Sequence, residues 1–390
     1  MKLLNNISKV LVGLVFIFSG FVKAVDPLGS TYKFVDYFEA FGMDFLSFLA
    51  FPLAIVLSAI EFVIGVSLLL GTRRKLTIWT LTLFMGFFTI LTFILAIYNP
   101  VTDCGCFGDA IIMTNWQTFG KNVILMIFTI FLFMHKDKFE VQWKATKQWG
   151  ILAIPSIFCI MISVYCYYNL PVIDFRPYKV GTYIPEKMEI PEGAPTAEYE
   201  TILVYKKDGV EKEFDMQNLP DSTWQWISTE NKLISEGYVP PIHDFTIETL
   251  DGDDITESVL NSNKFIFMLI THDLEKTNVS RISEINKFAL GAIESSKCEF
   301  ICMTSSVSSE ISEFKDKTHA PYLFYNTDEI TLKTIVRANP GLVLLKDGTV
   351  IAKWHYNNIP NFDEIKTNYI NNSAYNNTKE TEADRALARN

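Results

Sequence analysis

"LTIWTLTLFMGFFTILTFILAIYNPVTDCGCFGDA", residues 76–110, begins with an uncharged apolar run to residue 98 and ends on a loop in which two cysteines flank one glycine. An α-helix needs about 20 apolar residues to cross about 30 Å of hydrocarbon, so the run reads as a membrane span and the cysteines as a loop at its mouth. Runs 7–25, 48–70, 119–134 and 149–170 are likewise predominantly apolar and approach or exceed that length. The polar remainder of a 390-residue chain is too small to cover them all, which sets aside a large soluble helical protein. The first run has a basic start, Lys2 and Lys9, but "FSGFVKAVDP" offers no small-x-small cleavage site, and we keep it as a span.

Composition divides the chain. Up to about residue 170 it is apolar, whereas from Asp174 it is mixed and acidic. A formal charge of −10 argues against a nucleic-acid partner. Neither a phosphate-cradling glycine loop, a nucleophile elbow nor an internal repeat is visible.

Short basic loops set orientation. "TRRK" at 72–75 and "HKDKFEVQWKATKQ" at 135–148 belong on the cytoplasmic face, while loop 26–47, with Asp26, Asp36, Glu39 and Asp44 against Lys33, suits the other. Five spans leave the N-terminus in the cytoplasm and place Cys104, Cys106 and everything after residue 170 outside. In a bacterium this means a multi-pass protein of the cytoplasmic (inner) membrane with a periplasmic C-terminal domain, on the side where disulfides persist.

A structural zinc site takes four ligands, and nothing near Cys104 and Cys106 completes the set, so no metal is expected. A disulfide between them would close a very small ring, strained and easily reduced, with Gly105 letting the backbone fold tightly. A redox pair and a simple loop clip both fit. Cys159 and Cys166 lie about 10 Å apart along one helix, and Cys298 and Cys302 about 13 Å apart at alternate positions of the strand "CEFICM". All four read as packing thiols.

Glu61, inside "LSAIEFVIGVSLLLG", is a carboxylate at membrane depth. It is either functional or a packing group bonded to Ser58 or a neighbouring span. Gly65 and Gly71 fit close helix approach. Lys23 ends span one and reads as snorkelling to headgroups. Lys121 opens span four beside Asn122, where it can snorkel or, with the helix N-terminus, stabilise a cysteine thiolate.

These stretches, with "VLVGLVFIFSGFVKAVDPLGS" and "WQTFGKNVILM", make residues 1–135 resemble the DoxX and methylamine-utilisation MauE group of small membrane proteins. The resemblance implies a four-helix unit similar to quinone-linked thiol oxidoreductases, with MauE-like members tied to disulfide formation in exported proteins. Cys104, Cys106 and, less directly, Glu61 and Lys121 carry over as catalytic candidates, and quinone is the implied cofactor. That group often has arginine where this chain has Lys121, an exchange that keeps charge but loses the planar fork.

The later sequence resembles a thioredoxin or peroxiredoxin-like domain over about residues 240–360, from "PPIHDFTIETLDGDDIT" through "KFIFMLIT" and "CEFICMT" to "ANPGLVLLKDGTVIAKWH". The order reads strand, hairpin, buried strand, helix, buried strand, helix, two-stranded hairpin. Pro340 matches that family's cis-proline and marks a peptide-binding surface, and "KDG" is a turn with Gly348 at positive φ. Where the family places Cys-x-x-Cys, residues 271–275 read Thr-His-Asp-Leu-Glu. The dithiol is missing, and His272 reads as a helix-start residue.

The expected architecture is therefore a polytopic α-helical membrane bundle, a four-helix unit (1–135) plus a cytoplasmic loop and fifth span (136–170), followed by an extracytoplasmic α/β thioredoxin-like domain (240–365). Between them lies an accessory subdomain (171–239), with a hairpin in "EYETILVYKKDGVEKEFDM" and a helix in "STWQWISTENKLISEG"; a disordered tail (366–390) follows. Two functions compete. One is a membrane thiol-disulfide oxidoreductase serving an exported thiol protein and coupled to quinone. The other is a non-catalytic module, anchored in membrane lipid, whose cysteine-free domain recruits an envelope protein.

Overall fold

The computed structural model describes residues 2–136, 143–196, 198–207, 209–216, 218–235, 237–372 and 375. Its membrane part comprises α1 (Lys2–Val25), α2 (Pro27–Ala40), a 3-10 turn at Asp44–Leu49, α3 (Ala50–Leu70), α4 (Arg74–Tyr98), α5 (Asn115–Met134) and α6 (Ala145–Tyr168). Helices α1, α3, α4, α5 and α6 are long and apolar enough to span a membrane. Leu83, Phe87 and Ile90 are over 60% exposed along one side of α4, a row that only lipid would cover without cost.

Helices α1 and α3 touch backbone to backbone. A Cβ on Gly20 would lie 2.5 Å from the amide nitrogen of Phe62, and one on Gly65 would lie 2.6 Å from the carbonyl oxygen of Gly13, the close approach that small residues permit between membrane helices. Gly71 does not join this contact. It ends α3 in the left-handed conformation at φ 66°, a helix-stopping role.

Residues 26–47 are not the plain loop their polarity suggested. Asp26 caps α2 by accepting from the Gly29 amide, and Pro27 occupies the first turn, both standard helix-start devices. This short helix lies beside the cysteine loop.

After α6 the chain forms α7 (Ile184–Met188), then β1 (Glu198–Lys207), β2 (Val210–Asp215) and β3 (Gln225–Ser235), an antiparallel sheet of order β2-β1-β3. The helix expected over "STWQWISTENKLISEG" is thus corrected to a strand. Trp226, Ile227, Thr229 and Ile234 are strand formers, and the register pairs Leu203 of β1 with Thr229.

The C-terminal domain follows as α8 (Thr256–Leu260), β4 (Phe265–Ile270), α9 (Ile282–Glu294), β5 (Cys298–Thr304), α10 (Ser308–Thr318), β6 (Leu323–Asn326), α11 (Glu329–Ile335), β7 (Gly341–Lys346), β8 (Thr349–His355) and α12 (Phe362–Ile365). The sheet order is β6-β5-β4-β7-β8, with β4, β5 and β6 parallel and β7 and β8 antiparallel. Every residue of the central strand "FIFMLI" is buried, as a strand covered on both faces must be. Phe267 and Leu269 face α9 through Ile285 and Phe288. Ile266 and Met268 face Phe245, Leu332 and Ile335. Helices on both faces of this mixed sheet make the thioredoxin-like fold.

The β7–β8 turn has Asp347 at φ 48° and Gly348 at φ 72°, and the Asn339–Pro340 bond is cis. Strand β6 and helix α11 went unanticipated, and the hairpin expected near residue 250 is reduced to a bridge between Glu248 and Asp254. Two boundaries move. Tyr178 and Ile184 enter the core of the C-terminal domain, with Met188 packed against it, so the segment around residues 178–188 belongs with that domain, and residues 198–235 build the separate sheet. Likewise the chain stays helical to Ile370, which is buried, because that side chain packs under the core that includes Phe267. The rest of the expected disordered tail, 373–374 and 376–390, lies outside the described residues, as do 137–142 of the basic loop.

Candidate active site: a cysteine pair over a membrane cavity

Asn115, in the first turn of α5, fastens the start of the cysteine loop by donating to Asn99 Oδ1 at 2.8 Å and the Val101 carbonyl at 2.7 Å. The Gly105 amide donates to Asp103 Oδ1 at 2.9 Å, and Gly105 sits at φ 65°, a conformation that costs other residues about 1–2 kcal/mol. This turn brings the thiols of Cys104 and Cys106 to 3.1 Å, sulfur to sulfur.

The two sulfurs have different surroundings. Cys104 is only 8% exposed and lies under α2, where the Tyr37 hydroxyl donates to its carbonyl at 2.8 Å. Its hydrogen bond to Cys106, then burial, push its thiol up. Cys106 moves the other way. The hydrogen bond from Cys104 stabilises its thiolate, burial opposes this, and the charges of Lys121 and Lys23 complete the drop to about 6. Cys106 is thereby the sulfur biased toward thiolate, the state that reacts.

Lys23 is the residue that sequence reasoning placed wrongly. It does not snorkel: it is 7% exposed and pairs with Glu61, itself 5% exposed. Its ammonium donates to Glu61 Oε2 at 2.7 Å and Oε1 at 3.0 Å, to Ser19 Oγ at 2.7 Å and to the Cys106 carbonyl at 2.6 Å. The Ser19 hydroxyl lies 2.7 Å from both Glu61 Oε2 and the Cys106 carbonyl. A buried carboxylate holds Lys23 because an ionised group cannot remain alone at that depth. Ser58, a suggested partner of Glu61, bonds instead to the Ile55 carbonyl. The spacing of Ser19 and Lys23, one turn apart on α1, was the signal that could have paired them with Glu61.

Beneath the pair opens a cavity of about 240 Å³. Phe34, Phe38, Phe84, Phe88 and Phe107 wall it, and Ser19, Lys23, Glu61, Lys121 and Asn122 bring polar groups to it, with Cys104 and Cys106 in its lining. Lys121 stands over the Phe107 ring, 4.3 Å from its centroid. Cys104, Cys106, Glu61 and Lys121, from three separate sequence stretches, thus line one chamber.

The remaining candidates lie elsewhere. Pro340 is buried, with Asn339 donating to the Asp273 carbonyl at 2.8 Å. His272 is 8% exposed, set edge-on to Tyr32 of α2 at 6.3 Å between ring centroids, and burial brings it down to about 4. Cys298 and Cys302 are core residues, while Cys159 approaches Ser58 at 4.0 Å.

Residues 1–135 match the family profile described as methylamine utilisation protein MauE, and residues 199–236 match a domain of unknown function, DUF8463. Over 138 residues the chain is 30% identical to Protein TlpB of Flavobacterium psychrophilum, a match covering 33% of this chain and 36% of that relative. The chain thus spans about a third of that curated relative. Among solved structures, a candidate protein disulfide isomerase from Bacteroides thetaiotaomicron, determined in solution, is similar at 18% identity and a TM-score of 0.27, covering 32% of this chain and 82% of that one. The chain is a multi-pass membrane protein with a MauE-like domain at its N-terminus and a thioredoxin-like domain after it.

Proposed function

We propose that this protein is a membrane thiol-disulfide oxidoreductase that oxidises an exported thiol protein through Cys104 and Cys106 and passes the electrons to a quinone in the cavity below. The observation that carries the reading is the pair itself: two sulfurs 3.1 Å apart in the lining of an aromatic chamber with buried polar groups. An inert clip would need no chamber.

The inequality of the cysteines gives direction. In exchange, the sulfur whose thiol is more acidic leaves faster, so an incoming thiolate attacks Cys104 of the oxidised pair and Cys106 departs as thiolate beside Lys121 and Lys23. The partner's second thiol then attacks the mixed disulfide, loses its proton, and leaves the partner oxidised and the Cys104–Cys106 pair as dithiol. Reforming the bond releases two electrons and two protons.

A bound quinone would supply the two-electron, two-proton sink for that last step. The chamber suits one ring-sized headgroup: aromatic walls for stacking, with the Lys121 ammonium in its lining as a donor. Its volume lies below the ~300–1,000 Å³ of drug-sized pockets, so a long tail would leave between helices into lipid. Glu61 and Lys23 would hold and move protons there, and the pair keeps the Cys106 carbonyl in place. We infer the cytoplasmic-membrane orientation derived from the basic loops, with the cysteine loop and C-terminal domain in the periplasm.

The test is alkylation trapping of Cys104 and Cys106 in native membranes, with and without added quinone, against a Cys104→Ser control. The reading requires a pair that is reduced by an exported thiol protein and reoxidised only when quinone is present. A pair fixed in one redox state under every condition sinks it.

A further inference from the structure

The C-terminal domain lacks a dithiol, yet the face that would have carried one is pressed onto the membrane part. Arg337, two residues beyond α11 and three before Pro340, has a side chain only 6% exposed. Its Nε donates to Asp26 Oδ2 at 2.9 Å and its Nη2 to Asp109 Oδ2 at 2.6 Å. These two carboxylates occupy telling positions. Asp26 is the N-cap of α2, and Asp109 lies in the turn that directly follows Cys106 in the loop.

Helix α2 lies between domain and loop. On one side its Tyr32 lies under Lys333, at 4.8 Å, and under Arg337, at 5.4 Å, with His272 at its edge. On the other side Lys33 pairs with Asp103 at 2.8 Å and Tyr37 reaches the Cys104 carbonyl. Lys33 is so close that a Cβ on Gly105 would stand 2.9 Å from its Cγ. Gly29 is equally tight, since a Cβ there would lie 2.9 Å from Arg337 Nη2. Cys104, the sulfur a partner thiol must reach from outside, is what α2 covers.

We propose that Arg337 is a positioning residue for the cysteine loop: by tying Asp109 and Asp26 to the C-terminal domain it keeps α2 shut over Cys104, and a thiol protein gains the pair only when that domain lifts. A thioredoxin-like domain without a dithiol thus acts here through its contacts with the loop and not through exchange. The meaning of the gate rests on the thiol-oxidation reading, but the geometry of the cover does not.

The experiment measures the alkylation rate of Cys104 by a polar maleimide in the full chain, in membranes pre-reduced and freed of reductant, so it reads access and not electron transfer. Arg337→Gln is expected to speed Cys104 labelling at least tenfold, Asp109→Asn to speed it less because the Asp26 tie survives, and Arg337→Lys to return it toward the parent rate. Cys302, fully buried in the domain core, is the internal control for folding. If Arg337→Gln also exposes Cys302, Asp109→Asn decides, because it leaves every residue of the domain in place. Labelling unchanged in both variants overturns the gate. A gate that opens over a pair that never oxidises a protein thiol would instead retain the cover and remove the proposed function.

Discussion

Replacing Lys23 by methionine removes one member of a buried ion pair at membrane depth, and the cost can be worked from its contacts. The ammonium makes four contacts between 2.6 and 3.0 Å, two of them to Glu61, and both side chains are less than 8% exposed. Breaking such a pair from one side costs about 3–5 kcal/mol, because the remaining charge is left buried. An exposed pair would cost about 0–1 kcal/mol. Removing both charges together is neutral or stabilising by about 1–4 kcal/mol, so Lys23→Met/Glu61→Met should recover most of what Lys23→Met alone loses. The assay is a double-mutant cycle on unfolding in mixed detergent micelles, followed by helix content. The cycle also separates packing from chemistry: Lys23→Met alone should make Cys106 less acidic, whereas the double variant should regain stability and, having also lost the opposing Glu61 charge, shift that thiol less. A loss below 1 kcal/mol for Lys23→Met, or a double variant no more stable than the single, would refute a buried charged pair.

Alkylation of Cys106 should set in at lower pH than that of an ordinary thiol, and Lys121→Gln should move its midpoint upward; an unmoved midpoint would remove Lys121 from the thiolate's support. Gly105→Ala, at φ 65° with Lys33 in the way of its Cβ, should lose about 1–2 kcal/mol and loosen the loop, measured by thermal unfolding together with Cys104 labelling, and full retention of both would contradict the turn geometry. His272 lies at about 4 in the folded protein against 6.5 when solvated. Between those values the unfolded chain binds the extra proton, so the stabilisation of about 3 kcal/mol is present above pH 6.5 and lost as pH falls toward 4. His272→Leu should flatten that acid loss in a melting series, and an unchanged pH dependence would show that His272 is not the titrating group.

Much of this architecture was legible because membrane spans and central strands announce themselves by apolar runs. The five spans and the buried strands "FIFMLI" and "CEFICM" needed only length and hydrophobicity. The Asp347–Gly348 turn and Pro340 were legible because few residues take those conformations. Short elements were not. The strand at Gln225–Ser235 carries Glu230, Asn231 and Lys232 in a row, and its identity is decided by pairing with β1, a contact that local propensity does not contain. Helix α2 was hidden by its charges, although Asp26–Pro27 was a helix-start signal in plain view. At the site, Cys104, Cys106 and Glu61 were found because their residue types are unusual where they stand. Lys23 was missed because a lysine at the end of a span has an ordinary explanation, and only the fold reveals that Glu61 lies within reach. Arg337 was further from recognition still, since its partners are more than 200 residues away in sequence.

A cysteine pair that joins an external thiol to an acceptor within the membrane must satisfy two demands at once. One sulfur must be open to a folded protein, and the other must be held as a good leaving group next to a chamber poor in water. With a single residue between them, the sulfurs can remain 3.1 Å apart while the left-handed turn at Gly105 gives each its own surroundings. Cys104 faces α2, the short helix between the cysteine loop and the C-terminal domain. Cys106 has its carbonyl fixed by Ser19 and Lys23 of a span that must not move. If that division is the reason for the motif, exchanging the two roles should fail even though composition is preserved. Moving the supporting charge to the Cys104 side, by Lys121→Gln with Tyr37→Lys, should acidify Cys104, slow the departure of Cys106, and trap partner proteins as mixed disulfides on Cys104. Non-reducing electrophoresis of membranes would then resolve a stable adduct sensitive to reductant. Free turnover without any adduct would mean that the pair works symmetrically, and that the different surroundings of the two sulfurs have no part in the chemistry.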